Sequence, residues 1–434
     1  MKQEGVKNEY YIDERFGRVP IGWEIKKLKE VTNCLDSKRK PLKSEDRKNI
    51  AGDYRYYGAA GIIDYVNDYI FDGRYILFGE DGENLISRKV PQAFIVEGKF
   101  WVNNHAHILE TIEGVSNMDF ICYQLESKNY ENIIYGSAQP KINKADLNKI
   151  RLLIPKNPQE QTAIATILSK VDETIAATQN SIKAAEKLKK ALMQNLLTGK
   201  LKLDGTWRTD DEFYVDEKFG KVPKGWEVKR VKDVANCLDS KRKPIKAEDR
   251  KGMTGTYRYY GAAGIIDYIN DYIFDGRYIL FGEDGENLIS RKVPQAFIVD
   301  GQFWVNNHAH ILECIEGVSN IDFLCCLLES KNYENIVYGS AQPKINKSDL
   351  NKIKLLFPND IKEQTSISSR LIEIDSTLKE KQTKILTLQR LKKSLMQNLL
   401  TAKVRLPQEF IAQFESGMSG NSTSQDNQRI LKDE

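Results

Sequence analysis

The chain is one unit written twice. Trp23 recurs as Trp226, and the same spacing of 203 positions carries Gly58 to Gly261, His105 to His308, Gln139 to Gln342 and Glu160 to Glu363, with no insertion or deletion between them. Whatever fold one copy adopts, the other adopts as well. The match is uneven. YRYYGAAGIIDY, DYIFDGRYILFGEDGENLISRKVPQAFIV and FWVNNHAHILE are shared letter for letter, whereas the stretch after Pro155 has drifted from the one after Pro358. Each unit therefore has two parts under different constraints.

The first part, from about Gly17 to Pro155, is rich in Tyr, Ile, Val and Phe with Gly and Asp at short intervals, which predicts a mainly β domain. Tyr75–Phe78 and Ala93–Val96 are short apolar runs bounded by turn residues, as buried strands are, and helices are expected at Asp119–Glu126 and just after Asn143. The second part opens on Asn157-Pro158-Gln159-Glu160, a helix-start pattern of cap residue, proline at the first helical position and glutamate three after the cap. Apolar residues then fall at Ile164, Leu168, Val171, Ile175, Ile182, Ala185, Leu188, Leu192 and Leu196, spaced mostly by four and three, which is a coiled-coil seam. The second copy carries Ile367, Leu371, Ile374, Leu378, Ile385, Leu388, Leu391, Leu395 and Leu399 at the equivalent places. Two helices of about 40 residues, each roughly 60 Å long, with matched seams predict that they pair with each other.

The fold class expected is α+β, in two tandem repeats. The boundaries are 1–156 for the first β-rich domain, 157–200 for the first helix, 201–359 for a linker and the second domain, 360–403 for the second helix, and 404–434 for a polar, largely disordered tail. With 434 residues, 41% hydrophobic and 29% charged, the composition suits globular domains. No apolar leader or membrane-length run is present in the sequence, so a cytoplasmic protein is expected. Six cysteines without a CxxC pair read as core residues rather than a disulfide or zinc framework, and Cys34 and Cys122 recur as Cys237 and Cys325. A net charge of +4 does not by itself indicate a nucleic-acid partner.

Three motifs, each present twice, resemble those of the specificity subunits of Type I restriction-modification systems. They are Gly17-Arg18-Val19-Pro20-Ile21-Gly22-Trp23-Glu24, Gly136-Ser137-Ala138-Gln139-Pro140-Lys141-Ile142-Asn143, and a proline followed by Glu160-Gln161 opening the long helix. In the second copy Pro158 becomes Ile361 and Gly199 becomes Ala402, which affects only the helix ends. The resemblance implies two target-recognition domains held apart by the two helices paired as an antiparallel coiled coil, and no catalysis by this chain. It also implies double-stranded DNA, two methyltransferase subunits and restriction (motor) subunits as partners. S-adenosylmethionine, ATP and magnesium would then belong to those partners, with no cofactor or metal in this chain.

The residues themselves suggest where DNA would be met. Lys38-Arg39-Lys40, followed by Lys43, Arg47 and Lys48, and its copy Lys241-Arg242-Lys243 suit phosphate contact, although a solvated loop looks similar. Tyr56 and Tyr57, with Tyr259 and Tyr260, interleave aromatics with a cation nearby. Ser137, Gln139 and Lys141, with Ser340, Gln342 and Lys344, offer groups suited to base edges in the major groove. Asn103, Asn104 and His105, with Asn306, Asn307 and His308, form a polar strand segment. His107 would share a face with His105 if both lie on that strand.

A metal-dependent nuclease built on these Asn-Asn-His-Ala-His motifs and the nearby carboxylates Glu80, Asp81 and Glu83 is the alternative reading, though no third ligand stands at a recognisable spacing. Phosphate-loop, GxGxxG and Asn/Asp-Pro-Pro-Tyr signatures are absent from the sequence, and Gly79-Glu80-Asp81-Gly82 reads as a turn between strands. Identical domains facing each other predict a palindromic DNA target split by an unread gap. The loop Asn49–Asp53, which becomes Gly252–Thr256, is the place where the two halves could differ.

Overall fold

The structure, a computed structural model, describes residues 10–136, 140–217, 219–337 and 343–414. It divides into two units, each holding one β-rich domain with the opening half of one long helix and the closing half of the other. One unit comprises the residues to Thr178 and those from Ile385, and the second comprises Gln179–Lys384.

In the first unit a six-stranded sheet runs in the order Thr32–Cys34, Ala106–Thr111, Phe71–Gly79, Ala93–Val102, Ala51–Gly58, Gly61–Val66. Neighbours are antiparallel except Ala51–Gly58 and Ala93–Val102, which pair in parallel. The apolar run Tyr75–Phe78 has no polar alternation because both faces of its strand are covered. Ile76 and Phe78 pack into a cluster with Trp23, Phe120 and Leu125, while Leu77 packs on the other side with Phe100, Val102 and Ile108.

The helix Met118–Glu126 lies on the first of these clusters, its start capped by the Asn117 side chain, which accepts from the Phe120 amide. A short helix, Lys144–Leu147, is capped in the same way by Asn143. Trp23–Lys27 then pairs antiparallel with Arg151–Pro155, which leads into the long helix. The second unit repeats this sheet order and register. Where the copies diverge in sequence they diverge locally, with the helix Ser44–Asn49 shortened to Ala247–Arg250.

The long helices span Pro158–Leu196 and Ile361–Leu399. Asn157 and Asp360 cap them, accepting from the amides of Gln159 and Lys362 at 3.0 and 2.8 Å. Glu160 does not reach back to its cap as the opening pattern suggests. It is buried, accepting from the Trp23 indole at 3.2 Å and from Arg405 at 2.8 and 2.9 Å. Gln161 ties the same junction, donating to the carbonyls of Val115 and Pro155 and accepting from the Asn117 amide.

Within each unit the opening half of one helix bonds the closing half of the other: Lys392 meets Asp172 in the first unit and Lys189 meets Asp375 in the second, both at 2.6 Å. The seam departs from expectation at Leu188 and Leu391, which are 52% and 45% exposed. A straight helix turns 3.6 residues per turn against a seam of 3.5, so the inward face drifts onto the neighbouring lysines 189 and 392. The stretch from Val404, expected to be largely disordered, carries a helix at Gln408–Ala412 with Ile411 buried, and residues 415–434 lie outside the described residues.

Candidate nucleic-acid interface

The sequence candidates lie far apart along the chain, and the turn Gly79–Gly82 brings several of them together. Gly79 is required there: a Cβ on it would lie 2.8 Å from the Ala59 carbonyl oxygen. Beyond Gly79 the Glu80 amide donates to the His105 carbonyl at 2.8 Å, the Gly82 amide to Pro140 at 2.9 Å, and the Ile142 amide to Glu80 at 2.9 Å. The turn therefore holds the His105 segment and the Pro140–Ile142 segment by backbone alone.

Side chains complete the cluster. One oxygen of Glu80 accepts from Arg39 at 2.6 Å and the other from Lys141 at 3.0 Å. Arg39 also reaches Asp36 and donates to the carbonyls of Asn104 and Ala106. Asp81 meets His105 Nδ1 at 2.8 and 3.0 Å. Burial works against the charge on Asp36, but His107 and Arg39 outweigh it and hold its carboxyl below the ordinary range. Glu80 is held low in the same way, burial being offset by Arg39, Lys141 and His107. The second copy reproduces the cluster with Arg242, Glu283, Asp284, His308 and Lys344.

The remaining candidates separate by exposure. Lys38, Lys40 and Asn104 are exposed, as are Lys241, Lys243 and Asn307. His105, bonded to Asp81, and Lys141, paired with Glu80, keep side-chain exposures of 46% and 50%. Ser137, Gln139, Ser340 and Gln342 lie outside the described residues.

Tyr56 and Tyr57 are not on the surface. Tyr56 is buried beneath Arg47, its hydroxyl accepting from the Leu42 amide, and Tyr57 packs against Phe94 and Phe100. Tyr259 and Tyr260 are buried likewise. They end a strand paired on both edges, so their rings fill the core on either face of the sheet. Asn103 and Asn306 are also buried, and each accepts from the amide of the histidine two residues on, which shapes the turn. Arg47 is spent on Asp64 and the Leu42 carbonyl.

The two histidines of the motif do not share a face. His105 stands in the turn before the strand, whereas His107 is buried between Asp36 and the Ile142 carbonyl. Cys34, Asp36 and His107 do converge. Both ring nitrogens of His107 are already engaged, and Arg39 stands on Asp36, so the group is satisfied as a hydrogen-bonded network. Nothing in this arrangement supports the nuclease reading, which needs an open coordination position. Glu80 and Asp81 are not among the residues the sequence assigns to DNA contact; their Gly-acid-acid-Gly context reads as a turn, and as carboxylates near the histidines they enter only the nuclease alternative.

A family model described as the Type I restriction modification DNA specificity domain matches residues 20–187 and again 223–390. A putative type I restriction enzyme specificity subunit from Haemophilus influenzae is 34% identical over 161 residues, 37% of this chain and 40% of that protein. The MjaIX specificity subunit from Methanocaldococcus jannaschii is 24% identical over 426 residues, 90% of this chain and 95% of that one. The solved S subunit of a Type-I restriction-modification system from M. genitalium matches with a TM-score of 0.61 at 15% identity, covering 90% of this chain and 98% of that chain. That likeness concerns the fold.

Proposed function

The chain belongs to the family of Type I restriction-modification DNA specificity proteins, and from that premise we propose that it reads a split DNA target and supplies recognition, not catalysis, to its complex. Each domain meets one half of the target in double-stranded DNA, the exposed lysines 38 and 40 and their copies 241 and 243 giving phosphate contact. Lys141, His105 and Asn104 stand nearest the base edges, with Lys344, His308 and Asn307 in the other half. The helices act as an antiparallel coiled-coil spacer and as the docking surface for two methyltransferase subunits. Restriction subunits join that assembly, which works in the cytoplasm. S-adenosylmethionine, ATP and magnesium enter with the partners.

The observation that carries this reading is the exact repetition of the cluster around Glu80 and Glu283, in sequence and in bonding. Identical reading surfaces related by an antiparallel helix pair recognise the same bases on opposite strands, so the target is an interrupted palindrome with the same adenine methylated in each half. Sequencing the methylated motif in cells with and without this gene tests it. A gene-dependent palindrome with an unread gap is expected; two unrelated half-sites would show that the specificity lies outside the identical segments, beginning with Asn49–Asp53.

A further inference from the structure

Two carboxylates at a surface that approaches phosphate are costly, because like charges repel. The Gly79–Gly82 turn nevertheless places Glu80 and Asp81 at the centre of the cluster that holds Lys141 and His105, and the second copy does the same with Glu283 and Asp284. Their bonding shows what they contribute. Glu80 spends one oxygen on Arg39 and the other on Lys141, so a flexible lysine that would otherwise follow any phosphate is fixed in one place. Asp81 accepts from His105 through Nδ1 with both its oxygens within 3.0 Å. An ionised carboxylate can only accept, so Nδ1 carries a proton, and whenever the ring is neutral that leaves Nε2 as a lone-pair acceptor. An acceptor at that position pairs with an exocyclic amine, which adenine N6 and cytosine N4 offer in the major groove.

We propose that the Glu80–Asp81 turn, with Glu283–Asp284, is the positioning element of base reading: Glu80 aims Lys141, and Asp81 sets the tautomer of His105 so that its Nε2 accepts from an adenine or cytosine amine. This rests on the DNA-reading role proposed above. Removing the carboxylate charge makes the surface more attractive to any DNA while the aim of its cations is lost. Affinity and specificity therefore move in opposite directions, which a merely structural role does not produce.

The test uses the full chain carrying Asp81→Asn with Asp284→Asn, and separately Glu80→Gln with Glu283→Gln. Fluorescence anisotropy at one fixed salt concentration compares a duplex bearing the methylated motif with a scrambled duplex of equal length. The ratio of the two affinities is expected to fall about tenfold or more in either variant, the scale of one lost base contact per site. Binding to the scrambled duplex should hold or strengthen, with the melting temperature of the asparagine variant unchanged. Restoring an acceptor-only carboxylate with Asp81→Glu and Asp284→Glu should recover part of the ratio. If the buried Glu80→Gln pair fails to fold, the Asp81–His105 pair, with its half-exposed imidazole, still decides. An undiminished ratio in the asparagine variant, where the unaltered chain does prefer its motif, overturns this inference alone. An unaltered chain with no preference between the duplexes overturns it together with the DNA-reading function.

Discussion

Ala402 closes the second long helix in the left-handed conformation, at φ 56°, where Gly199 closes the first at φ 63°. A side chain there meets the following carbonyl, at a cost of roughly 1–2 kcal/mol. Ala402→Gly should therefore stabilise the first unit by about 1 kcal/mol, read as a higher denaturation midpoint. The reverse change is worse than strain alone, because a Cβ on Gly199 would lie 2.4 Å from Pro223, so Gly199→Ala should destabilise the second unit. Equal and opposite effects would show that strain is the whole cost.

Acid should act through Asp36 and Glu80 and their copies. Their folded carboxyls are held low, so the unfolded chain takes up protons first as pH falls. The stability they add is complete above about pH 5 and is lost as pH drops through the ordinary carboxylate range toward the folded values. Urea midpoints between pH 6 and 3 should fall accordingly, and Asp36→Asn with Asp239→Asn should flatten the curve. At this scale the sequence was informative about type and not about partner. Lys38, Lys40 and Lys141 are exposed as their charge suggests, but Tyr56 and Tyr57 look the same in sequence whether they face solvent or core. Arg39 and Glu80, 41 residues apart, meet only through the sheet.

The helices themselves were legible in cap residues and apolar spacing; their seating on the domains was not. Glu160 looks like a capping residue, yet it serves the Trp23 indole and Arg405, a partner from the far end of the chain. The two junctions also differ in a way that only side-chain geometry reveals. Gln124 donates to the Leu153 carbonyl at 2.7 Å and to the Leu400 carbonyl at 2.8 Å, tying the helix Met118–Glu126 to the strand and to the end of the long helix. Leu327 stands in its place in the second unit and has no donor to give. A cleft of about 950 Å³ opens there, lined by Leu197, Leu327 and Leu356, the counterparts of the three tied residues.

Amides in the helix Ile321–Ser330 should consequently exchange faster than those in Met118–Glu126. Gln124→Leu should strip two carbonyls of their donor, lowering protection of the first helix by ~1–3 kcal/mol. Native-state hydrogen exchange measures both, and unchanged protection in the variant would mean that packing alone secures the junction.

For the molecule as a whole, two domains and two helices follow from the repeat in the letters, while the register of one helix on the other does not. The seam spacing allows several registers; Asp172–Lys392 and Lys189–Asp375, each the image of the other 203 positions away, select one. If the helices are the ruler between the half-sites, their length sets the gap and the domains set the bases. One heptad inserted after Thr178 and another after Lys381 lengthens both helices by roughly 10 Å while nearly preserving the inward face, a rotation of only about 20°. Matched insertion matters, because lengthening one helix alone would slide Lys189 off Asp375 or Lys392 off Asp172. At 3.4 Å per base-pair step the added length corresponds to about three steps. The methylated motif of cells carrying the extended chain should keep its half-sites and gain about three unread base pairs between them. An altered half-site with an unchanged gap would place the control of spacing in the domains and sink the ruler.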